Sequence, residues 1–383
     1  MANPLQQLKD YGQSVWYDNL NRELLRSGEL QRMVDEDNVT GGTSNPSIFE
    51  KAVGGGDAYD QHIADLVDQD KSLEEVFDAL TVTDVQQSCD VFAPIHRDTS
   101  GADGYASLEV SPEIANDTET TLRDAKRLFA ALGRPNAMIK IPGTPAGLPA
   151  IEDALADGLN INITLLFGVE NYEQVARAYV RALERRADAN LPVDNIASVA
   201  SFFVSRVDSL VDKQLEERIE AGGDSDKLRR LMGKAGVANA KIAYAKYKEV
   251  FSGDRWEALA AKGARVQRCL WASTSTKNPD YRDVLYVEEL IGPDTVNTLP
   301  QNTLDAFREH GELRNSLVED VDEAFAHVER LAEAGIDFKA VTDELQVQGV
   351  DLFVKSYRGA MDTVRDKREK MQKGEIGATA RRD

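Results

Sequence analysis

The sequence is poor in the residues that build disulfide frameworks, metal centres and membrane spans. Its 383 residues include two cysteines and four histidines. Cys89 and Cys269 lie far apart and in no metal-like spacing, which excludes a disulfide scaffold and favours a reducing compartment. The scattered histidines form no metal-binding cluster, and no apolar run is long enough to span a bilayer. We therefore expect a protein without a metal site and without a membrane segment.

Basic charge is also scarce. The chain has 66 acidic residues against 45 basic ones, a net charge of −21. Such a charge argues against nucleic acid or an anionic membrane as the main partner, and a phosphorylated ligand would need a local basic pocket. Residues 1–5 lack the basic start and apolar core of a signal peptide, so we expect a cytoplasmic location.

Short apolar runs alternate with helical patterns along nearly all of the chain. Several runs follow a loop that carries Gly or Pro, as expected where a helix ends and a strand begins. Eight strands are predicted, at residues 14–18, 39–44, 104–110, 137–141, 160–166, 196–203, 265–273 and 295–299. Strands that alternate with helices predict an α/β fold with a parallel sheet, and eight such units predict a closed (β/α)8 TIM barrel. The alternative is an open doubly wound sheet, but the sequence has no Gly-x-Gly-x-x-Gly turn to support it.

We predict one barrel domain over residues 1–383. The connections 46–103 and 206–264 are too long for a single helix each, and we interpret both as helical insertions on the barrel. Residues 338–371 carry a helical pattern beyond the eighth strand and predict a C-terminal extension.

The residue with the clearest chemical signal is Lys140, in the apolar run Ala-Met-Ile-Lys-Ile-Pro-Gly at 137–143. Lysine is rarely buried, because desolvation of the charge is costly. The same desolvation favours the neutral amine, which is the nucleophile in imine formation with a carbonyl compound. The alternative is a lysine at a strand end that extends its amine to water.

In a (β/α)8 barrel the chemistry lies at the carboxyl ends of the strands, so polar residues there are candidates for the site. Taken singly, several have simpler explanations: Asp18 and Asn45 could be helix N-caps, Arg206 and Lys277 surface charges, and Phe203 a packing residue. Glu109, in contrast, interrupts an apolar strand, where a carboxylate needs a partner or a purpose. The full candidate set is Asp18, Asn45, Glu109, Lys140, Asn162, Thr164, Ser201, Phe203, Arg206 and Lys277. Together these residues favour imine chemistry on a phosphorylated polyhydroxy carbonyl compound.

Around these residues the chain resembles the transaldolase family, over about residues 11–365. The matching stretches are Trp-Tyr-Asp at 16–18, Thr-Ser-Asn-Pro-Ser at 43–47, Ser-Leu-Glu-Val-Ser-Pro at 107–112, Ile-Lys-Ile-Pro-Gly-Thr at 139–144 and Asn-Ile-Asn-Ile-Thr-Leu-Leu-Phe at 160–167. The length and the insertion after the second strand are similar to the longer bacterial subgroup. The resemblance implies a class I aldolase-like barrel with its reactive lysine on the fourth strand. It also implies that no metal or organic cofactor is needed, because the protonated imine is the electron sink.

The resemblance further implies a reaction and a role for each candidate. Dihydroxyacetone would move from sedoheptulose 7-phosphate to glyceraldehyde 3-phosphate, which gives erythrose 4-phosphate and fructose 6-phosphate. The catalytic residues would be Lys140, Asp18, Glu109 and Thr164, and the substrate-binding residues Asn45, Asn162, Ser201, Phe203, Arg206 and Lys277. The chain departs from shorter family members in Ser-Phe-Phe-Val-Ser-Arg at 201–206 and in Lys277, which stands where they have an arginine.

Two other functions remain open from the sequence. One is an aldolase that acts on fructose 6-phosphate and releases free dihydroxyacetone; Glu109 argues against it, since the related small aldolases lack that glutamate. The other is a non-catalytic phosphosugar-binding protein, which would not require a buried amine. A monomer and a homodimer are both compatible with the sequence.

Overall fold

The computed structural model describes residues 3–373, in which eight parallel strands form one closed barrel in the order of the chain. The barrel closes where the first strand pairs with the last, with Gln13 opposite Thr295. The strands are β1 (Gln13–Tyr17), β2 (Val39–Thr43), β3 (Ala106–Glu109), β4 (Ala137–Pro142), β5 (Ile161–Leu166), β6 (Ser198–Phe203), β7 (Arg268–Ala272) and β8 (Thr295–Leu299). The predicted fold class is confirmed, and the boundaries of the predicted strands differ from these by no more than three residues.

Helices surround the barrel and extend beyond its carboxyl end. They are α1 (Pro4–Gln7), α2 (Arg22–Arg26), α3 (Glu29–Asp37), α4 (Pro46–Gly54), α5 (Asp60–Val67), α6 (Leu73–Asp98), α7 (Thr118–Leu132), α8 (Gly147–Ala156), α9 (Val169–Asp188), α10 (Ser205–Glu220), α11 (Ser225–Arg229), α12 (Ala235–Val250), α13 (Gly253–Ala260), α14 (Leu285–Glu288), α15 (Gln301–His310), α16 (Val321–Glu333) and α17 (Phe338–Gln372). Short 3-10 helices lie at Leu8–Tyr11, Pro112–Ile114 and Ser316–Val318. Within residues 3–373, no helix is both long and apolar enough to cross a membrane.

The connection between β2 and β3 has two parts. Helices α4 and α5 stand outside the barrel layer, whereas α6 packs against the strands on either side of it. Helix α6 begins with a capping box, in which Ser72 and Glu75 each bond the other's backbone N–H, a strong start signal. It runs to Asp98 although Pro94, which cannot donate a backbone hydrogen bond, lies within its exposed last turns.

The connection between β6 and β7 holds four helices. Helices α11 and α12 are separated by Gly233, whose φ of 70° is left-handed. The Gly233 N–H donates to Asp212 Oδ1 at 2.9 Å, so the break is fastened to α10. This contact keeps the helices that follow β6 together.

The core has three parts. The largest lies between the strands and the surrounding helices. A second includes Trp16, Met138 and Leu270 of the strands and extends to helices α10, α11, α16 and α17. Trp16 packs so closely on β2 that a Cβ on Gly41 would lie 2.6 Å from its ring. The Trp16 indole N–H donates to Asp103 Oδ1 at 2.9 Å at the amino-terminal end of the barrel. The third part joins α4, α5, α6 and α17, so the C-terminal helix is packed against the insertion.

Candidate active site

A cavity of about 810 Å³ opens at the carboxyl end of the barrel. Strand ends line most of it, and helix α17 and the segment from α4 to the start of α5 complete its wall. Seven of the predicted site residues line it: Asp18, Asn45, Lys140, Thr164, Ser201, Phe203 and Lys277. The other three contact lining residues: Glu109 bonds Lys140, Asn162 bonds Ser201, and Arg206 lies against Phe203. The structure therefore brings the ten predicted residues together.

Lys140 and Glu109 form a buried pair at the centre of the site. They are opposite each other in the register of β3 and β4, and Lys140 Nζ lies 3.2 Å from Glu109 Oε2. Lys140 is 6% exposed, so it does not extend to water as a strand-end lysine would. Burial raises the pKa of Glu109, while the Lys140 charge opposes that rise. Glu109 Oε1 has no hydrogen-bond partner among the described residues, which leaves it available to a water or a substrate.

Thr164 is presented to the cavity by an irregularity in β5. The register between β5 and β6 shifts after Ile163, and Leu165 has a φ of 58°. A branched residue in the left-handed region is strained, and such strain is concentrated at functional sites. The Thr164 hydroxyl is fully buried and has no hydrogen-bond partner within residues 3–373. The bulge therefore places an unsatisfied hydroxyl beside the cavity that contains Lys140.

Asp18 follows β1 directly, and its backbone N–H donates to Leu299 O at 3.2 Å. It is not an N-cap, because Asn21 caps helix α2, so that simpler explanation for Asp18 is wrong. Burial raises the pKa of Asp18 to about 6, and the positive charges of Lys140 and Lys277 oppose the rise. A carboxyl group with such a pKa can exchange a proton near neutral pH, as a general acid or base must.

The two ends of the Asn45 side-chain amide have different surroundings. Asn45 is the N-cap of α4, as the simpler explanation held, and its Oδ1 accepts from the Ile48 N–H at 3.1 Å and the Ser47 hydroxyl at 2.8 Å. Its amide nitrogen makes no hydrogen bond to the described part of the chain and can donate into the cavity. The cap holds the side chain in place for that contact.

Asn162 lies in register with Lys140 but below the cavity. Its Nδ2 donates to the Ser107 hydroxyl at 3.1 Å, and its Oδ1 accepts from the Ser201 hydroxyl at 2.7 Å. These three side chains form a buried polar layer across the barrel. Asn162 therefore orients Ser201, which does line the cavity.

Two cations, Arg206 and Lys277, lie near the β6 and β7 ends. The Arg206 guanidinium is 5.6 Å from the centre of the Phe203 ring, and Lys277 Nζ donates to the Ser275 hydroxyl at 2.5 Å. Burial lowers the pKa of both groups, and the Arg206 charge lowers that of Lys277 further. Among the described residues neither forms a salt bridge. In a chain with a net charge of −21, two neighbouring cations, of which within residues 3–373 only Lys277 is near an opposite charge, that of Asp18, indicate an anion site.

Sequence reasoning missed Phe353, on the C-terminal helix α17. Its ring lines the cavity, and Lys140 Nζ lies 5.5 Å from the ring centre. The signal in the sequence was a stripe at helical spacing, Gln346, Gly349, Phe353 and Tyr357, but nothing in it indicated what the stripe packs against.

No three His, Cys, Asp or Glu side chains in residues 3–373 are grouped closely enough to hold a metal ion. The predicted site residues in and beside the cavity supply an amine, two carboxylates, two amides, two hydroxyls, an aromatic ring and two further cations. This set can perform imine chemistry with proton transfer by the protein's own side chains.

Comparison with known proteins agrees with this geometry. The family model described as "Transaldolase/Fructose-6-phosphate aldolase" matches residues 15–364. A transaldolase of Trichodesmium erythraeum is 46% identical over 97% of this chain and 99% of its own length. "Transaldolase 2" of Nostoc punctiforme is 46% identical over 96% of this chain and 98% of its own. A transaldolase of Thermobifida fusca is 47% identical over 95% of this chain and 98% of its own length.

Proposed function

Since this chain belongs to the transaldolase family, we propose that it transfers a dihydroxyacetone unit between phosphorylated sugars through an imine on Lys140. The donor is sedoheptulose 7-phosphate and the acceptor glyceraldehyde 3-phosphate, and the products are erythrose 4-phosphate and fructose 6-phosphate. A cytoplasmic location is part of this proposal. The observation that carries it is the buried Lys140–Glu109 pair beside a cavity that Lys277 lines, with Arg206 next to its Phe203 wall.

Imine formation uses the groups closest to the amine. Lys140 adds to the C2 carbonyl of the ketose, and the resulting carbinolamine must lose water. Glu109, at 3.2 Å from Lys140 Nζ, can give and take the protons of that step. The unpartnered Thr164 hydroxyl supplies a position for the water that carries them. Burial raises the pKa of Glu109, which makes its protonated form easier to reach than that of an exposed glutamate.

Bond cleavage needs a second base. Asp18 takes the proton of the C4 hydroxyl, the C3–C4 bond breaks, and its electrons move into the iminium. The aldose leaves, and a three-carbon enamine stays on Lys140 until a second aldehyde arrives. The Asp18 pKa of about 6 makes it a base at neutral pH that can return the proton in the reverse step.

The remaining residues bind the sugar. The amide of Asn45 and the Asn162–Ser201 pair hold hydroxyl groups near the imine. Arg206 and Lys277, with Ser201 and the Phe203 ring beside them, bind the phosphate, because hydrogen bonds between ions are stronger than neutral ones.

Reductive trapping is the direct test. The protein is incubated with fructose 6-phosphate and sodium borohydride, and the modified peptide is identified by mass spectrometry. We expect a three-carbon adduct on Lys140, and neither adduct nor turnover in Lys140→Ala. Transfer from sedoheptulose 7-phosphate to glyceraldehyde 3-phosphate, measured beside the release of free dihydroxyacetone, separates a transaldolase from a simple aldolase.

The chain contains a matched internal control, Lys241 on α12. It is as buried as Lys140, at 6% exposed, but its Nζ donates to Glu319 O at 2.9 Å. If burial alone produced the adduct, Lys241 would be modified too. An adduct on any lysine other than Lys140 would falsify the proposal, and binding without any adduct would favour a non-catalytic sugar-binding protein.

A further inference from the structure

We propose that Phe353 determines whether the three-carbon enamine waits for an aldehyde or is lost to water. This inference rests on the proposed imine at Lys140. The Phe353 ring, on α17, has its centre 5.5 Å from Lys140 Nζ and lines the same cavity. It lies 213 positions along the chain from the lysine, so it belongs to none of the strand-end motifs.

Helix α17 is fixed tightly enough to hold the ring in that place. The Gln346 amide donates to Gly143 O at 3.0 Å and to Leu165 O at 3.3 Å, which ties the helix to the ends of β4 and β5. One turn later, a Cβ on Gly349 would lie 3.0 Å from the Leu165 side chain. Because Gly349 has no side chain, α17 lies close to the barrel, and Phe353, one further turn on, extends over the amine.

The other side of Phe353 is held as well. Tyr357 packs edge-on against Phe77 of α6, with ring centres 5.1 Å apart, and Ala360 and Val364 lie in the core that α4, α5 and α6 share with α17. The ring thus lies between two anchored segments of one helix. Moving the Phe353 ring would require contacts on both sides of it to break, so the ring forms a rigid part of the cavity wall.

An aromatic face near the nitrogen has two effects on the intermediate. It attracts the cationic iminium, and it occupies space from which water would reach C2. Loss of the enamine to water requires two steps: C3 takes a proton from an acid in the cavity, which gives the iminium, and water then adds to C2. The C2–N bond breaks, the amine of Lys140 is restored, and one dihydroxyacetone leaves for each water consumed.

The test compares release with transfer in Phe353→Ala and Phe353→Leu. With fructose 6-phosphate as donor, free dihydroxyacetone is measured without acceptor, and transfer is measured with erythrose 4-phosphate. We expect the ratio of release to transfer to rise about tenfold in Phe353→Ala, which corresponds to about 1.4 kcal/mol between the two barriers. Phe353→Leu keeps apolar bulk but no π face, so its ratio should lie between those of Phe353→Ala and the unmodified protein.

Leu352→Ala is the matched control, because Leu352 is the preceding residue on the same helix and is 48% exposed; its ratio should not change. An unchanged ratio in both Phe353 variants, or an equal loss of release and transfer, would overturn the inference and leave Phe353 as a packing residue. Phe353→Leu keeps the test open if Phe353→Ala does not fold. Absence of the Lys140 adduct in the unmodified protein would instead overturn the proposed function.

Discussion

Asp18 should lower the stability of the fold while it serves as a base in the reaction. The substitution Asp18→Asn separates its effect on stability from its effect on catalysis. The side chains have nearly the same shape, but the amide is never ionised. In the native protein, burial raises the Asp18 pKa from 3.8 to about 6, so at neutral pH the ionised Asp18 contributes less to folding stability than an uncharged side chain of the same shape would.

The size of the effect follows from the shift. A rise of about two pH units at about 1.4 kcal/mol per unit disfavours the ionised folded state by about 3 kcal/mol at pH 7. Between pH 3.8 and 6 the folded chain binds more protons at this site than the unfolded chain does. The contribution of Asp18 to stability is therefore greatest below pH 3.8, falls as the pH rises through this window, and is fully lost above it.

Urea unfolding of both proteins at pH 7.5 and at pH 4 tests this. We expect Asp18→Asn to be more stable by up to about 3 kcal/mol at pH 7.5 and by little at pH 4. It should still form the borohydride-trapped imine with fructose 6-phosphate but not cleave the sugar. Asp351→Asn, at an exposed position of α17, is the control and should change stability by less than about 0.5 kcal/mol. A variant no more stable than the parent at pH 7.5 would refute the assignment of a desolvated carboxylate.

Three further predictions concern the other groups of the site. Glu109→Gln should slow imine formation itself, so rapid-quench trapping should show slow adduct growth; a normal adduct that fails to cleave would contradict the division of roles with Asp18. Arg206→Ala and, less strongly, Lys277→Ala should lower kcat/KM for glyceraldehyde 3-phosphate by about 10- to 100-fold, because a hydrogen bond to a charged group contributes about 1.5–3 kcal/mol. These two variants should use unphosphorylated glyceraldehyde almost as well as the parent does. The control is Lys213→Ala, because Lys213 is an exposed cation on the same helix as Arg206; this variant should use both acceptors normally. An equal loss on both acceptors in the Arg206 or Lys277 variants would mean that those two residues only support the structure. Activity should persist in EDTA, and a loss that a divalent cation restores would indicate metal-dependent chemistry.

The strand ends and the residues on them could be predicted because both follow from local patterns. All parallel strands of a barrel have their carboxyl ends on the same side. Once the strands are assigned, the polar residues at those ends are therefore known to lie near one another. Glu109 and Lys140 show this best, since one register brings them opposite each other. The N-cap at Asn45 could also be predicted from the Asn-Pro sequence at 45–46, because capping depends on residues within one helical turn.

Other features depend on contacts that local patterns do not encode. The left-handed Leu165 breaks the local preference of a branched residue, and the surrounding fold must impose it. The layer of Ser107, Asn162 and Ser201 depends on which side chains meet inside the closed barrel. The position of Phe353 depends on α17 docking on segments more than 180 residues earlier in the chain.

That last dependence has a consequence for how the protein becomes active during its synthesis. The chain leaves the ribosome from its N-terminus, so Lys140 and Glu109 emerge long before their cover does. The barrel cannot close until β8 (Thr295–Leu299) is available to pair with β1, and the cavity wall is incomplete until Phe353 has docked. In a nascent or truncated chain that ends before α17, the Lys140 amine would be open to water on the side where the Phe353 ring lies. The order of the elements along the chain thus makes the covered amine one of the last features of the molecule to form.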